Sequence, residues 1–286
     1  MEYRQFGRTG MHLSVVGLGG LLAHYWEGET AHPPAEEKRK IYLRAAEMGV
    51  NLFDMGYGDE VHIPDELKGA SDDRHFSLKV GAPTAQDLEA TIDKHLANVK
   101  REAIDILRVH HYAFMADEAL RRCIEDLKSM GKIRALCTIR HFAADQQAYL
   151  SGPEPEADAD LVIYNYVCRG QEPGIALAAE QGKGVLIMKA LGGQYLSWSH
   201  KNTTDWTTAT GETLMQLSPL GESMRQEIDL VYSFSAGPWH ELAQPGEQVA
   251  QTGPAVAWVL KNQNVNTALV AVASVDELAS ALAMLG

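Results

Sequence analysis

The chain has 286 residues, enough to bury one large core or two ordinary ones. Its hydrophobic share of 45% is that of a globular protein, and its formal charge of −13 argues against nucleic acid or an anionic membrane surface as the main partner. Cys123, Cys137 and Cys168 are widely spaced, no Cys-x-x-Cys or His-x-x-x-His pattern occurs, and no apolar run is long enough to span a bilayer. These features predict reduced thiols, no metal site, no membrane association and a cytoplasmic setting.

The segment Tyr3–Gly10 followed by His12–Val15 predicts a small hairpin with Gly10 in its turn. A buried strand over 15–18 runs into Gly19-Gly20, and a polar loop is expected through Pro33-Pro34. Residues 35–48 read as a helix, with Ile41, Ala45 and Met48 at helical spacing and Gly49 as its stop. The chain then alternates. Strands are predicted at 50–54, 75–80, 104–109, 133–138, 159–163, 184–189 and 267–272. Helices are predicted around 60–69, at 85–99, at 117–130, near 143–149, near 173–181, at 254–262 and after Ser274, which has capping-box spacing to Glu277. Eight strand–helix units predict a closed (β/α)8 barrel, an α/β fold, as one domain over 1–286. An open doubly wound sheet is the second choice, and no Gly-x-Gly-x-x-Gly opens a helix after the first strand to support it. Residues 197–253, with Trp198, Trp206 and Trp239, interrupt the seventh unit as an insertion, either lid-like or packed on the outer helices.

Three strands carry ionisable groups at or near their C-terminal ends. The second ends in Asp54, with Gly56 and Gly58 marking a tight turn around Tyr57, the third carries Lys79, and the fourth ends on His110. Each has an ordinary structural explanation when taken singly, such as a helix cap, a snorkelling lysine or a hydrogen-bonded histidine. In a barrel these ends meet at one mouth, where barrel enzymes do their chemistry. An ammonium beside a phenol lowers a pKa that is otherwise about 10. A carboxylate paired with the lysine keeps it charged and in place, and a histidine can polarise a carbonyl oxygen. The set suits proton donation to a carbonyl.

With these residues in view, the sequence resembles the aldo-keto reductase family. The opening Tyr3-Arg4 to Gly7-Arg8-Thr9-Gly10, the run Gly49-Val50-Asn51-Leu52-Phe53-Asp54, and Ile104–His110 are similar to that family's hairpin, second strand and fourth strand. Gly131-Lys132-Ile133-Arg134, Tyr164-Asn165 and Lys189-Ala190-Leu191-Gly192-Gly193 match later landmarks in the same order. The resemblance implies a tetrad of Asp54, Tyr57, Lys79 and His110. Tyr57 would be the general acid, tuned by Lys79, with Asp54 holding Lys79 and His110 placing the carbonyl. It implies NADPH as hydride source and a small-molecule carbonyl substrate, with cofactor contacts from Arg140, Lys189, Gly192, Gly193 and Ser274. There are departures from the pattern. The family places its Asp and Tyr two residues further apart than Asp54 and Tyr57. Ile139-Arg140, followed by His141-Phe142, stand where it has Ser-Asn, Leu161 replaces a glutamine, and Ala271 and Ala273 replace a Gly and an Arg used for cofactor phosphates. NADH, or no cofactor, therefore stays open. Two other readings stay open too: a lyase, dehydratase or isomerase that uses Tyr57, Lys79 and His110 for proton transfer without hydride exchange, and a binding or regulatory protein on the same fold.

Overall fold

The computed structural model of the chain describes residues 1–19, 24–26, 29–31, 33–56, 58, 63–141, 143–165, 169–190 and 252–285. A hairpin of β1 (Tyr3–Gln5) and β2 (His12–Ser14) comes first, paired antiparallel with Arg4 opposite Leu13. Then follow β3 (Val16–Leu18), a second hairpin of β4 (His24–Trp26) and β5 (Glu29–Ala31), and α1 (Ala35–Glu47). The β/α units are built from β6 (Leu52–Asp54), β7 (His75–Gly81), α2 (Ala85–Val99), β8 (Ile104–His110), α3 (His111–Ala116), α4 (Glu118–Ser129), β9 (Ile133–Arg140) and α5 (Ala143–Ser151). They continue through β10 (Ala159–Ile163), α6 (Glu172–Glu180), β11 (Gly184–Met188), α7 (Thr252–Leu260), β12 (Thr267–Val270) and α8 (Val275–Leu282). The strands β3 and β6 to β12 pair in chain order, all parallel, and close β12 onto β3. This is the (β/α)8 barrel.

Most elements lie within a few residues of their predicted positions, and three features differ. The polar loop expected before Pro33 contains the β4–β5 hairpin, where Tyr25, Trp26 and Thr30 favour extended backbone. The helix expected around 60–69 is one 3-10 turn over Asp65–Leu67, preceded by Pro64 and closed by Gly69 at φ +88°. The helix α3 was not expected, because only its Phe114 is buried and six residues show no periodic apolar face. Gly192, Gly193, Trp198, Trp206, Trp239 and all but the last two residues of the 197–253 insertion lie outside the described residues.

Two apolar layers follow from the strand period. One side of each strand meets the helices: Phe53, Phe76, Leu78, Leu107, Val109, Leu136 and Val162 pack there with Ile92, Leu96, Ile124 and Leu127. The other side fills the barrel with Leu52, Ile106, Ala135, Cys137, Leu161, Leu186 and Leu269. Phe6, Met11 and Leu13 from the first hairpin join this inner cluster and plug the N-terminal end. The plug needs Gly184 at the start of β11, since a Cβ there would lie 2.3 Å from the Phe6 ring. Gly184→Ala is therefore expected to destabilise the protein by about 1–3 kcal/mol, read as a lower urea midpoint at unchanged m-value. With one end plugged, the polar chemistry of the strands is left to the other.

Candidate active site

Residues 106, 108 and 110 share one face of β8, and Ile106 points into the barrel, so Arg108 and His110 follow it inward toward the mouth. Asp54 lies level with Ser77 of β7, which lies level with Ile106. Arg108 stands one inward position above that level, and its guanidinium reaches across β7 to ion-pair with the buried Asp54 carboxylate. The same carboxylate accepts from the Gly56 amide at 2.8 Å. The expected partner of Asp54 was Lys79; the cation that Asp54 pairs with is Arg108. Lys79 and Arg108 stand level with each other, one inward position above Asp54 and Ser77, and it is the Arg108 guanidinium that reaches the Asp54 carboxylate.

Tyr57 lies outside the described residues, but both of its neighbours are fixed. The Gly56 carbonyl accepts from the Lys79 amide at 2.7 Å, and the Gly58 amide donates to Met55 at 2.8 Å. Gly58 has φ +84°, and a Cβ there would fall 2.0 Å from the ring of His95 on α2. The turn is thus tied to the strand that carries Lys79 on one side and wedged against a helix on the other. Only glycine satisfies both conditions at position 58.

His110 is buried, and its ring stacks on Tyr112 of α3 at 5.5 Å between centroids and lies 6.4 Å from His141, just past β9. Burial and then the charge of Lys79 push His110 down to about 4, with Asp145 pulling the other way and Arg108 adding a smaller push. His141 is pushed down to about 3 by burial and by Lys189, Lys79 and His110. Lys189 Nζ lies 3.2 Å from His141 Nε2. The ammonium is the donor, so this ring nitrogen accepts and the proton of the neutral imidazole sits on Nδ1. The backbone of Lys189 has φ +58°, unusual for a residue with a side chain, and its carbonyl is held by Asn165 Nδ2 at 3.1 Å. The mouth therefore gathers Asp54, Arg108, Lys79, His110, His141 and Lys189. Of these, Arg108 and His141 were not among the residues expected to act. Arg108 was legible as a charge two positions before His110 on the same strand face, a place where burial demands a partner.

Two residues expected at a cofactor are committed elsewhere. Arg140 is on the opposite face of β9 from Cys137 and Ile139. It is fully buried in the layer between barrel and helices, bound by Asp160 at 3.1 Å and by Glu154, over the ring of Tyr149. It is turned away from the mouth because residue 140 is out of phase with the inward positions 135, 137 and 139. Ser274 caps α8: its Oγ accepts from the Glu277 amide at 3.1 Å, while the Glu277 carboxylate accepts from the Ala273 amide at 2.7 Å. The Ser274 cap predicted from the 274–277 spacing is thus formed, with the Glu277 carboxylate reaching the amide one residue before the cap, and Asp276 and Glu277 place two acids in the first turn of α8. Among the described residues no helix is long and apolar enough to cross a membrane.

Comparison with known proteins gives a consistent picture. The model of the family described as "Aldo/keto reductase family" matches residues 16–285. A curated relative, 6-dehydroglucose reductase of Novosphingobium aromaticivorans, is 26% identical over 172 residues, covering 52% of this chain and 54% of that protein. The match thus spans only about half the length of the relative. Two solved structures of the aldo-keto reductase AKR11C1 from Bacillus halodurans, an apo and a holo form, superpose with a TM-score of 0.67 at 19% identity, covering 100% of this chain and 90% of theirs. At that identity the likeness is one of fold.

Proposed function

The chain belongs to the aldo/keto reductase family, a family of oxidoreductases, and we propose that it reduces an aldehyde or ketone to the alcohol, with Tyr57 as proton donor and NADPH or NADH as the hydride source. The observation that carries this reading is the hydrogen bond from the Lys79 amide to Gly56, which ties the turn bearing position 57 to the strand bearing the lysine. A nearby ammonium makes a phenol a better acid. His110, already neutral at pH 7, has no imidazolium proton to give. Its role is to hold the carbonyl oxygen by a hydrogen bond, which leaves proton transfer to the phenol. Asp54 and Arg108 neutralise each other beneath the mouth and brace the base of the site. The name of the Novosphingobium relative makes an oxidised sugar the first substrate class to assay.

The described residues fit a dinucleotide unevenly. Lys189, clamped by Asn165 and His141, is a cation at the mouth suited to the anionic part of such a cofactor. The start of α8, where the family resemblance implies phosphate contacts, carries Asp276 and Glu277 and uses its capping donors internally. When bound, the dinucleotide supplies hydride to the carbonyl carbon. The acids of α8 disfavour an added 2′-phosphate, so titration of tryptophan fluorescence is expected to show NADH binding at least as tightly as NADPH. Markedly tighter NADPH binding would overturn this assignment of α8. No quenching by either would remove hydride transfer altogether and favour the cofactor-independent proton-transfer reading, which the same α8 carboxylates support.

A further inference from the structure

We propose that His111, clamped between Asp145 and Glu154, is an imidazolium and the positioning residue for the two mouth histidines, His110 and His141. The proton count follows from geometry. Nδ1 lies 3.0 Å from Asp145 Oδ1 and Nε2 lies 3.1 Å from Glu154 Oε2. A carboxylate only accepts, so a carboxylate oxygen this close to each ring nitrogen favours the imidazolium, which carries a proton on both, over neutral imidazole, which carries one. The surroundings agree. Asp145 comes from α5, Glu154 from the segment after it, Asp160 from β10, Arg140 from β9 and Lys183 from just before β11. Three carboxylates face an arginine and a lysine there, and a proton on His111 balances the set. Burial works against this proton, but the hydrogen bonds to Asp145 and Glu154 prevail and raise the imidazole above its ordinary range. Burial likewise opposes the charge on Glu154, yet His111, Arg140 and Lys183 bring its carboxyl down to about 2.

The clamp reaches both histidines. His111 is the residue after His110, so fixing its ring fixes the end of β8. Asp145 and the next residue, Gln146, form one step of α5, and Gln146 Nε2 donates to the His141 carbonyl at 2.9 Å. One turn of α5 therefore ties down the strand ends of both mouth histidines. The role assigned to the mouth rests on the reductase reading; the clamp itself does not.

A raised pKa in the folded state means the clamp is complete below the ordinary imidazole value near 6.5 and is lost as pH rises through the folded value. Histidine-ring 15N–1H correlation spectra of the 286-residue chain between pH 6 and 9 test this. His111 is expected to show two ring N–H signals at pH 6.5 and to lose one on the alkaline side, with the His110 and His141 signals moving at the same midpoint. Asp145→Asn is expected to shift that midpoint down. His111→Gln is expected to abolish the shared step and, in a carbonyl-reduction assay, to lower kcat on the order of 10- to 100-fold with KM little changed. An unprotonated His111 nitrogen at pH 6.5, or His110 and His141 indifferent to its titration in the wild-type chain, would overturn the proposal. Failure of the chain to bind any nicotinamide leaves these spectra unaffected, so the two ideas fail separately.

Discussion

Tyr57→Phe is expected to lower kcat for carbonyl reduction by roughly 10²- to 10⁴-fold, the usual worth of a positioned general acid, while leaving nicotinamide affinity unchanged. Phenylalanine keeps the ring and removes only the hydroxyl that would give the proton, so folding and substrate access are preserved. The partner experiment is Lys79→Met. If the ammonium tunes the phenol, this variant shifts the pH profile of the residual rate toward alkaline values as well as lowering it. His110 does not substitute as donor, because burial and Lys79 hold it neutral at neutral pH. A Tyr57→Phe enzyme with wild-type turnover would dismiss the phenol and with it the proposed chemistry. Loss of a cofactor-independent activity in the same variant would instead select proton transfer without hydride exchange.

The largest effect on stability is expected at Asp160. Its carboxylate is fully buried, accepts from Thr138 Oγ1 at 2.6 Å, and holds Arg140 at 3.1 Å and Lys183 at 3.0 Å. Asp160→Ala leaves two buried cations with Glu154 as their remaining carboxylate. Removing one partner from such a set costs about 3–5 kcal/mol, because two buried cations are left out of water to share a single carboxylate. For a chain of this size that corresponds to a Tm lower by roughly 10 °C. Glu118→Ala is the comparison. It breaks an ion pair with Arg122 whose two side chains are 67% and 73% exposed, and no measurable loss is expected, since water already solvates both groups. Equal loss in the two variants would contradict the role given to the buried set.

The barrel was legible because its signal is local. Alternating strands and helices are written as runs of apolar residues with period two or three to four, and α2 at 85–99 is read to the residue because Leu88, Ile92 and Leu96 share a face. The site was legible in residue type, since Asp54, Lys79 and His110 mark the inner ends of adjacent strands. It was less legible in partnership. Arg140 was expected at the cofactor because it stands where the family resemblance has its Ser-Asn pair, yet strand parity turns it into the helix layer. Ser274 was expected as a cofactor contact, and in the structure its oxygen caps its own helix.

By itself, then, the chain's sequence determined the eight-unit alternation, the hairpin at the start, the Ser274 cap of the last helix and the identity of the ionisable residues at strand ends. Only the tertiary structure decided that Asp54 pairs with Arg108, that His141 and Lys189 meet beside His110, and that His111 is gripped by two acids. The physical reason is range. Periodicity and capping act over a few residues and leave a pattern in the sequence. Which charge meets which across a closed barrel depends on strand register and on the side each residue faces, and a shift of one position reverses both.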